Sequence, residues 1–352
     1  MTQELRAATT EPPSPELTGQ TSALPSGRSF RQFLDKAGSY WTLGILLLII
    51  VIMGLVAPTL FTKAAWLSTA NYAVEFLILA VGQTFVIILG EIDISDGAIL
   101  GFSALAGSVV MSGLLDHHAG GPLSTLVGIL VMLGIGTLIG LVNGILRVWL
   151  KISSFIVTIA MMLAIGFGAV NLITSGASID NLPNGVLDAG SDSLFGGWFP
   201  ISVLVAIVVA IVFGLVLART RFGLRVYMIG SNPLAARRAG INVDRYVVAC
   251  FGLSGLLAGV AGYLVTANLT IATPIAGQND EFYAITAVVI GGASLFGGRG
   301  GMIGTFIGTA VLAVLTTGLV LASVQTYWQY VVIGAVLIAA VGIDQVRARV
   351  SG

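Results

Sequence analysis

Apolar stretches of about twenty residues, separated by short polar segments, follow one another along this chain from residue 42 to residue 344. A helix of about that length crosses the ~30 Å hydrocarbon core of a bilayer and satisfies its own backbone hydrogen bonds there. Only 9% of the residues are charged, whereas a soluble domain carries about 25%. These features predict an all-α fold, a polytopic bundle of transmembrane helices.

The apolar pattern predicts about ten transmembrane helices. We place them at 42–61, 70–90, 97–115, 124–146, 154–174, 198–218, 247–267, 283–298, 302–322 and 328–344. The eighth stretch is short and interrupted by glycine, and the second and third are separated only by the sequence EIDISD.

The distribution of charge predicts the orientation of the bundle, because cytoplasmic loops are enriched in Lys and Arg. With the N-terminus inside, all but one of the 16 basic residues lie on the cytoplasmic side, and the exception is Lys63. The outside loops then contain Asp116, Asp180, Asp188, Asp192, Asp280 and Glu281. We therefore expect both termini to be cytoplasmic.

Three regions differ in composition. Residues 1–36 are polar and rich in Pro, Ser and Thr, which predicts a disordered cytoplasmic tail. Residues 37–346 form the predicted membrane domain, with a basic cytoplasmic loop at 219–246, and 347–352 form a cytoplasmic C-terminal end.

Several functional classes are excluded by composition and motifs. A formal net charge of +0 gives no basis for binding nucleic acid, and the single Cys250 permits neither a disulfide nor a cysteine metal site. The lysines are Lys36, Lys63 and Lys151, and because none follows a glycine the chain contains no GxxxxGK[ST] P-loop. We expect no catalytic residue, no metal site and no cofactor bound by this chain. If transport consumes ATP, another subunit hydrolyses it.

The basic loop at 219–246 contains signals for a short helix. Asn232 is a suitable N-cap, and Pro233 occupies the first helical position, where its missing N–H costs nothing. Good helix formers, an arginine pair in the last turn and a glycine stop complete the pattern, at Leu234, Ala235, Ala236, Arg237, Arg238 and Gly240. A capped helix this short is too small for a domain, and we interpret it as a segment that another protein grips.

An acidic cluster between the second and third spans has two interpretations. Glu91, Asp93, Ser95 and Asp96 could line a polar translocation path, because carboxylates at membrane depth usually face a cavity or a partner. Alternatively the cluster is a tight cytoplasmic turn, in which Ser95 or Asp96 caps the following helix. Both can hold together. Asn143 and Ser294 are further candidates for the translocation path.

A glycine-rich turn at 291–301 does not fit GxGxxG and precedes a membrane span, so it does not indicate dinucleotide binding. It predicts a broken or re-entrant helix, and the glycines concerned are Gly291, Gly292, Gly297 and Gly298. Its place before an apolar helix matches that of the acidic cluster, which suggests an internal repeat, although two unrelated turns would look the same. Other glycines recur every four residues, and we interpret these as close helix contacts: Gly136, Gly140, Gly144, Gly255, Gly259, Gly304 and Gly308.

The chain resembles the permease subunits of bacterial ABC importers for ribose, xylose, arabinose and related monosaccharides. The resemblance covers about residues 40 to 344. It is carried by GEIDISDGAILGFSALAG at 90–107, SSFIVTIAMM at 153–162, GSNPLAARRAGINV at 230–243 and GGASLFGGRGGMIGTFIGTAVLAVLTTGLVL at 291–321.

The resemblance implies a multi-pass protein of the bacterial cytoplasmic membrane, which imports a monosaccharide such as a pentose. It implies two permease copies, or this chain and a paralogue, on two cytoplasmic ATPase subunits that bind ATP and Mg²⁺. A periplasmic or lipid-anchored sugar-binding protein docks outside. The segment 230–243 is similar to the family's coupling helix, but Leu234 occupies a position where relatives often have an acid. Glu91 and Asp96 also stand where relatives often have a small uncharged residue.

Two rival functions follow from the same sequence. One is an ABC permease for branched-chain amino acids or another small polar solute, which shares this architecture. The other is a secondary transporter driven by protons or cations through Glu91, Asp93 and Asp96.

Overall fold

The computed structural model of this chain describes residues 27–118 and 120–351, with side chains described for 42–118, 120–342 and 345. It is divided into two units, Met1–Ala37 and Gly38–Gly352, and the second contains the helical bundle. The helices of the first half are α1 (Gly27–Val56), α2 (Lys63–Leu89), α3 (Asp96–Asp116), α4 (Gly121–Leu150), α5 (Ser154–Met162), α6 (Val170–Thr174) and α7 (Asn184–Ser191). A 3₁₀ turn at Pro58–Phe61 follows α1, and a π-helical stretch at Leu163–Ala169 joins α5 to α6.

The second half begins with the strands β1 (Ser193–Leu194) and β2 (Phe199–Pro200), which pair antiparallel with Ser193 opposite Pro200. The remaining helices are α8 (Ile201–Arg219), α9 (Arg221–Ser231), α10 (Pro233–Arg238), α11 (Val243–Leu269), α12 (Asp280–Ile290), α13 (Met302–Leu321) and α14 (Thr326–Ser351).

The structure confirms a polytopic helical membrane fold. Within the described residues, 7 helices are long and apolar enough to cross a membrane: α2, α3, α4, α5 with its π-helical continuation and α6, α8, α11 and α13. The apolar helices Thr42–Val56 and Thr326–Gly342 are shorter. The number of ten spans and the cytoplasmic position of both termini stay predictions.

Helix α2 is the centre of the bundle. Apolar side chains lie on all its faces. In its most apolar stretch of 18 residues 83% is buried, whereas the corresponding share is 28% for α4 and 22% for α8. A helix that is apolar on all sides is stable only inside a protein or a membrane. Helices α11, α12 and α13 pack around α2, while α4 and α8 expose apolar side chains at the periphery.

The glycine stripes form close helix contacts, as predicted. A Cβ atom at Gly140 would lie 2.2 Å from the carbonyl oxygen of Phe251, and one at Gly136 would lie 2.3 Å from that of Gly255. Helices α4 and α11 therefore touch backbone to backbone, which small residues permit in membrane bundles. Gly304 makes an equivalent contact between α13 and Gly291.

Two elements differ in extent from the sequence prediction. Helix α1 begins at Gly27, within the region 1–36 that was expected to be a disordered tail, and residues 1–26 lie outside the described residues. The eighth span, 283–298, is the shorter helix α12, which ends at Ile290 before the glycine turn.

The loop 219–246 contains a second helix, α9, which the sequence analysis missed. Its N-cap is Thr220, whose side chain accepts a hydrogen bond from the Gly223 N–H. The apolar side chains of Val226 and Ile229 face the bundle, and they are fully buried. Arg221 and Arg225 precede these apolar positions in the same helix, and this charge led to the interpretation of the segment as a loop.

Candidate functional site

A buried polar centre lies where the non-helical segment 91–95 enters the start of α3. The Asp93 Oδ1 atom accepts hydrogen bonds from the Ser95 N–H at 2.9 Å and from the Ser95 hydroxyl at 2.6 Å. Asn143 of α4 donates to the Ser95 hydroxyl at 2.8 Å, and Ser254 of α11 donates to Asp96 Oδ1 at 2.9 Å. Asp93, Ser95, Asp96 and Asn143 are completely buried. The structure therefore brings four of the predicted candidates together.

The expected cap of α3 is only partly present. Ser95 occupies the N-cap position, but its side chain makes no capping bond, and Asp96 is the first helical residue. Asp93 accepts the Ser95 N–H instead. After α2 ends at Leu89, the chain enters the protein interior, and residues 93–95 are buried there.

The partners of this segment were missed in the sequence. Ser154 accepts a hydrogen bond from the Ile92 N–H at 3.1 Å, and Thr158 accepts one from the Ile94 N–H at 3.2 Å. Gln83 of α2 donates to the Asp93 carbonyl oxygen. These bonds satisfy backbone groups that no helix satisfies. Ser154 and Thr158 both belong to the apolar helix α5, and Gln83 adjoins Thr84 in α2, so the only available signal was a polar side chain in an apolar run.

Glu91 and Ser294 lie apart from the polar centre. Glu91 forms an ion pair with Arg147 at the end of α4, with Oε1 2.7 Å from Nη2. Ser294 belongs to the glycine turn, where its N–H donates to the Arg299 carbonyl oxygen at 3.1 Å. No group of three or more His, Cys, Asp or Glu residues within the described parts of the chain could hold a metal ion.

The starts of α3 and α12 meet beside the polar centre. A Cβ atom at Gly97 would lie 2.1 Å from the carbonyl oxygen of Gly277, so these backbones are in direct contact. Ser254, which bonds Asp96, is near the middle of α11, and both helices therefore begin within the bundle. A cavity of about 300 Å³ opens at this contact, and its polar lining includes Asn171, Gln278, Asn279 and Glu281.

The placement of Asp280 and Glu281 in an outside loop was wrong. Both residues are in the first turn of α12, with 9% and 3% of their surface exposed. The Tyr283 ring of the same helix stacks on Phe76 of α2 at 4.5 Å, which fixes the start of α12 against the central helix. The chain from 270 to 279 folds inward, and charge counting along the sequence does not reveal such a re-entrant path.

The short helix expected from Pro233 is present as α10, which ends at Arg238. The Asn232 side chain accepts the Ala235 N–H at 2.9 Å. At the other end the Ile241 N–H bonds the Ala236 carbonyl oxygen, and the Gly240 N–H bonds that of Arg237, each at 3.0 Å. This pair of bonds, with Gly240 at φ +80°, is a Schellman motif.

One face of α10 is anchored and the other is exposed. Ala236 is 3% exposed and packs in a core cluster with residues of α2, α9 and α11, while 60% of Leu234 is exposed. Arg237 forms a two-bond ion pair with Asp244 at the start of α11, the shorter distance being 2.5 Å. This carboxylate raises the pKa of the Arg237 guanidinium. The helix therefore presents Leu234 and Ala235 outward from a fixed base.

The glycine turn connects this base to the centre of the bundle. The Gly298 N–H donates to the Ile88 carbonyl oxygen at 2.8 Å, and the Tyr227 hydroxyl of α9 donates to the Gly300 carbonyl oxygen at 2.8 Å. A Cβ atom at Gly230 would lie 1.8 Å from the Ile88 carbonyl oxygen. We call these contacts among the ends of α2 and α9 and the turn 291–301 the glycine junction. Gly292, Gly297 and Gly298 have φ of +91°, +83° and +73°, whereas Gly291 ends α12 in a right-handed conformation.

Comparison with known families defines the class. Residues 65–341 match the family described as the branched-chain amino acid transport system permease component. The chain belongs to this family of membrane-embedded ABC-importer permeases, and it is a transport component rather than an enzyme. Importers of this family depend in general on an ATPase and a substrate-binding protein.

Curated relatives within this class are named for sugars. The chain is 32% identical to the D-allose transport system permease protein AlsC of Escherichia coli K12, over 91% of this chain and 95% of that protein. It is 35% identical to the ribose import permease protein RbsC of the same strain, over 85% and 91%. It is 34% identical to the RbsC of Bacillus subtilis 168, over 91% and 95%. No solved structure matches this chain.

Proposed function

We propose that this chain is the transmembrane subunit of an ATP-driven, binding-protein-dependent importer of a monosaccharide in the bacterial cytoplasmic membrane. The observation that carries the proposal is α10, a capped helix fixed to the bundle by Ala236 and Arg237 and exposing Leu234. The chain contains no P-loop, so a separate protein that contacts it must hydrolyse ATP.

The partners follow from this arrangement. Two cytoplasmic ATPase subunits, which bind ATP and Mg²⁺, dock on α10 of two permease copies or of this chain and a paralogue. A periplasmic or lipid-anchored binding protein delivers the sugar from the other side. This chain binds no cofactor and no nucleic acid, and its apolar periphery contacts membrane lipid.

The coupling is mechanical. ATP binding closes the two ATPase subunits onto each other. Because their surfaces contact α10 differently in the open and closed arrangements, the closure displaces α10. The turn 291–301 is hydrogen-bonded to α9 through Tyr227 and to the end of α2 through Ile88, so a displacement of α10 is transmitted through the glycine junction. The bundle then changes between inward-facing and outward-facing arrangements, and the binding protein releases its sugar into the open cavity.

The sugar is favoured over a branched-chain amino acid because the curated relatives of nearly full coverage are named for ribose, allose, xylose and fructose. An ion-coupled mechanism is disfavoured by the separation of Glu91, which is paired with Arg147, from Asp93 and Asp96.

Uptake by proteoliposomes tests the proposal. Vesicles containing this chain and its ATPase, supplied with the binding protein, are expected to accumulate radiolabelled D-ribose or D-allose when ATP is present and no ion gradient exists. The control is an importer whose ATPase has a mutated P-loop lysine, since that lysine contacts the phosphates of ATP. Accumulation driven by a proton or sodium gradient without ATP would refute the proposal, and uptake of L-leucine alone would assign the amino-acid function instead.

A further inference from the structure

The cavity beside the polar centre has the walls of a small-molecule site. It measures about 300 Å³, at the lower end of the range for ligand pockets, roughly 300–1,000 Å³. Residues from distant parts of the chain form its walls: Gly97 and Gly101 of α3, Phe167 of the π-helical stretch, and the segment 274–282. Single π-helical turns inside α-helices occur frequently at functional sites.

A buried carboxylate lies at the inner wall. Glu281 is 3% exposed, it lines the cavity, and its Oε2 atom is so close to Gly97 that a Cβ atom there would be 2.4 Å away. Among the described residues, no other side chain forms a hydrogen bond or ion pair with this carboxylate, which accepts a hydrogen bond from its own backbone N–H. A carboxylate has about four acceptor sites, so a solute in the cavity can donate a further hydrogen bond to it.

The remaining lining combines amides with aromatic and aliphatic groups. Asn171, Gln278 and Asn279 provide donors and acceptors, while Phe167 and Phe282 provide apolar faces. Gly97 in the first turn of α3 and Glu281 in the first turn of α12 both line the cavity, so two helices begin at its wall. Discontinuous helices whose ends point at the solute are typical of transport sites.

The chemistry of the lining selects an uncharged polyhydroxylated solute. A pyranose or furanose has hydroxyl groups for the amides and the carboxylate, and C–H faces that pack on aromatic rings. The lining residues include no Lys, Arg or His, so a phosphorylated sugar would place its charge near Glu281 without a counter-ion.

We propose that this cavity is the binding site for the free monosaccharide during its passage, with Glu281 and Gln278 as hydrogen-bonding partners. This inference rests on the proposed importer function and adds a location and named contacts to it. The site is distinct from α10 and from the glycine junction, so changes in it alter transport of the sugar without blocking the docking of the ATPase.

Uptake kinetics test the assignment in the complete importer. We expect Glu281→Gln and Gln278→Ala to raise the KM for D-ribose or D-allose about tenfold or more. The first replaces a charged acceptor by a weaker neutral amide and puts an NH2 donor in place of one acceptor oxygen, and the second removes a hydrogen-bonding partner of a buried solute. Ile275→Trp, at an exposed position of the lining, is expected to reduce uptake by about the same factor by filling the cavity. Leu269→Trp, at another exposed apolar position that lies outside the lining, is the matched control and keeps wild-type uptake.

Uptake and ATPase activity together distinguish the assignment of the sugar site from the proposed importer function. Binding-protein-stimulated ATPase activity of the Ile275→Trp importer should stay within about twofold of wild type, because α10 is intact. If wild type takes up sugar and Ile275→Trp and Glu281→Gln do so equally well, the site assignment is refuted while the importer function stands. If wild type takes up no sugar with ATP, the importer function fails first.

A direct binding measurement uses the cysteine content of the chain. Cys250 is completely buried, so a Gln278→Cys variant offers one exposed thiol in the cavity. D-ribose or D-allose at saturating concentration is expected to slow its labelling by a maleimide at least about threefold, while L-leucine and D-ribose 5-phosphate do not. Equal labelling rates with and without either sugar, or protection by L-leucine alone, would overturn the proposal.

Discussion

At the residue scale, Asp93 is the most constrained member of the polar centre, because one of its oxygens accepts two hydrogen bonds from Ser95. Asp93→Leu leaves the Ser95 N–H and hydroxyl buried without that acceptor, and should reduce stability by about 2–4 kcal/mol. Asp93→Asn retains an acceptor oxygen and should cost much less. Thermal unfolding of the purified variants in detergent measures both. Equal melting temperatures for Asp93→Leu and wild type would contradict the assigned role.

The sequence indicated these acids because carboxylates next to apolar runs are rare. It could not indicate which of them meet. Glu91 and Asp93 are two residues apart, yet Glu91 pairs with Arg147 of α4 and Asp93 faces the interior. Ser254 and Gln83 gave no signal beyond their polarity, since a hydrogen bond between distant helices leaves no spacing in the chain.

At the element scale, α4 and α11 depend on backbone contact. Gly140→Ala would place a methyl group 2.2 Å from the Phe251 carbonyl oxygen, and such overpacking typically costs about 1–3 kcal/mol. Gly134→Ala is the matched control, because the same helix has nothing within 4 Å of the added atom there. We expect a lower melting temperature only for Gly140→Ala. The reverse ranking would refute the packing of these helices through their glycine stripe.

The elements could be predicted where the signal is local. Asn232, Pro233 and Gly240 specify both ends of α10 through groups a few residues apart. The end of α12 at Ile290 agrees with the broken helix expected from the glycine turn. Its start was misjudged because it depends on the path of residues 270–279, which the apolar run itself does not encode.

At the scale of the whole molecule, the orientation predicted from the distribution of charge can be tested by labelling. Because Cys250 is buried, single cysteines introduced at the exposed positions Arg238 and Asp188 are the reactive thiols of their variants in the described part of the chain. A membrane-impermeant maleimide should label Arg238→Cys only in inverted vesicles and Asp188→Cys only in right-side-out vesicles or intact cells. Labelling of both from the same side, or the opposite pattern, would contradict the predicted topology.

The class of the molecule was predictable because composition and apolar length determine it. The connection between its parts was not. The glycine junction joins residues near 88, 230 and 298 through backbone hydrogen bonds and close approach, and the sequence shows only that glycines are present there. The connection of α9 and the turn 291–301 to the end of α2 therefore emerges only from the folded structure.

Helix α10 is the proposed contact through which closure of the ATPase moves the bundle. Stimulation of ATP hydrolysis by the sugar-loaded binding protein tests this role most directly. Ala235 is exposed on α10, so Ala235→Trp should fold normally and obstruct docking, whereas Ala235→Ser is the matched control. In the reconstituted importer we predict that Ala235→Trp abolishes stimulation and uptake together, while Ala235→Ser retains both. Normal stimulation with intact uptake in Ala235→Trp would contradict the account.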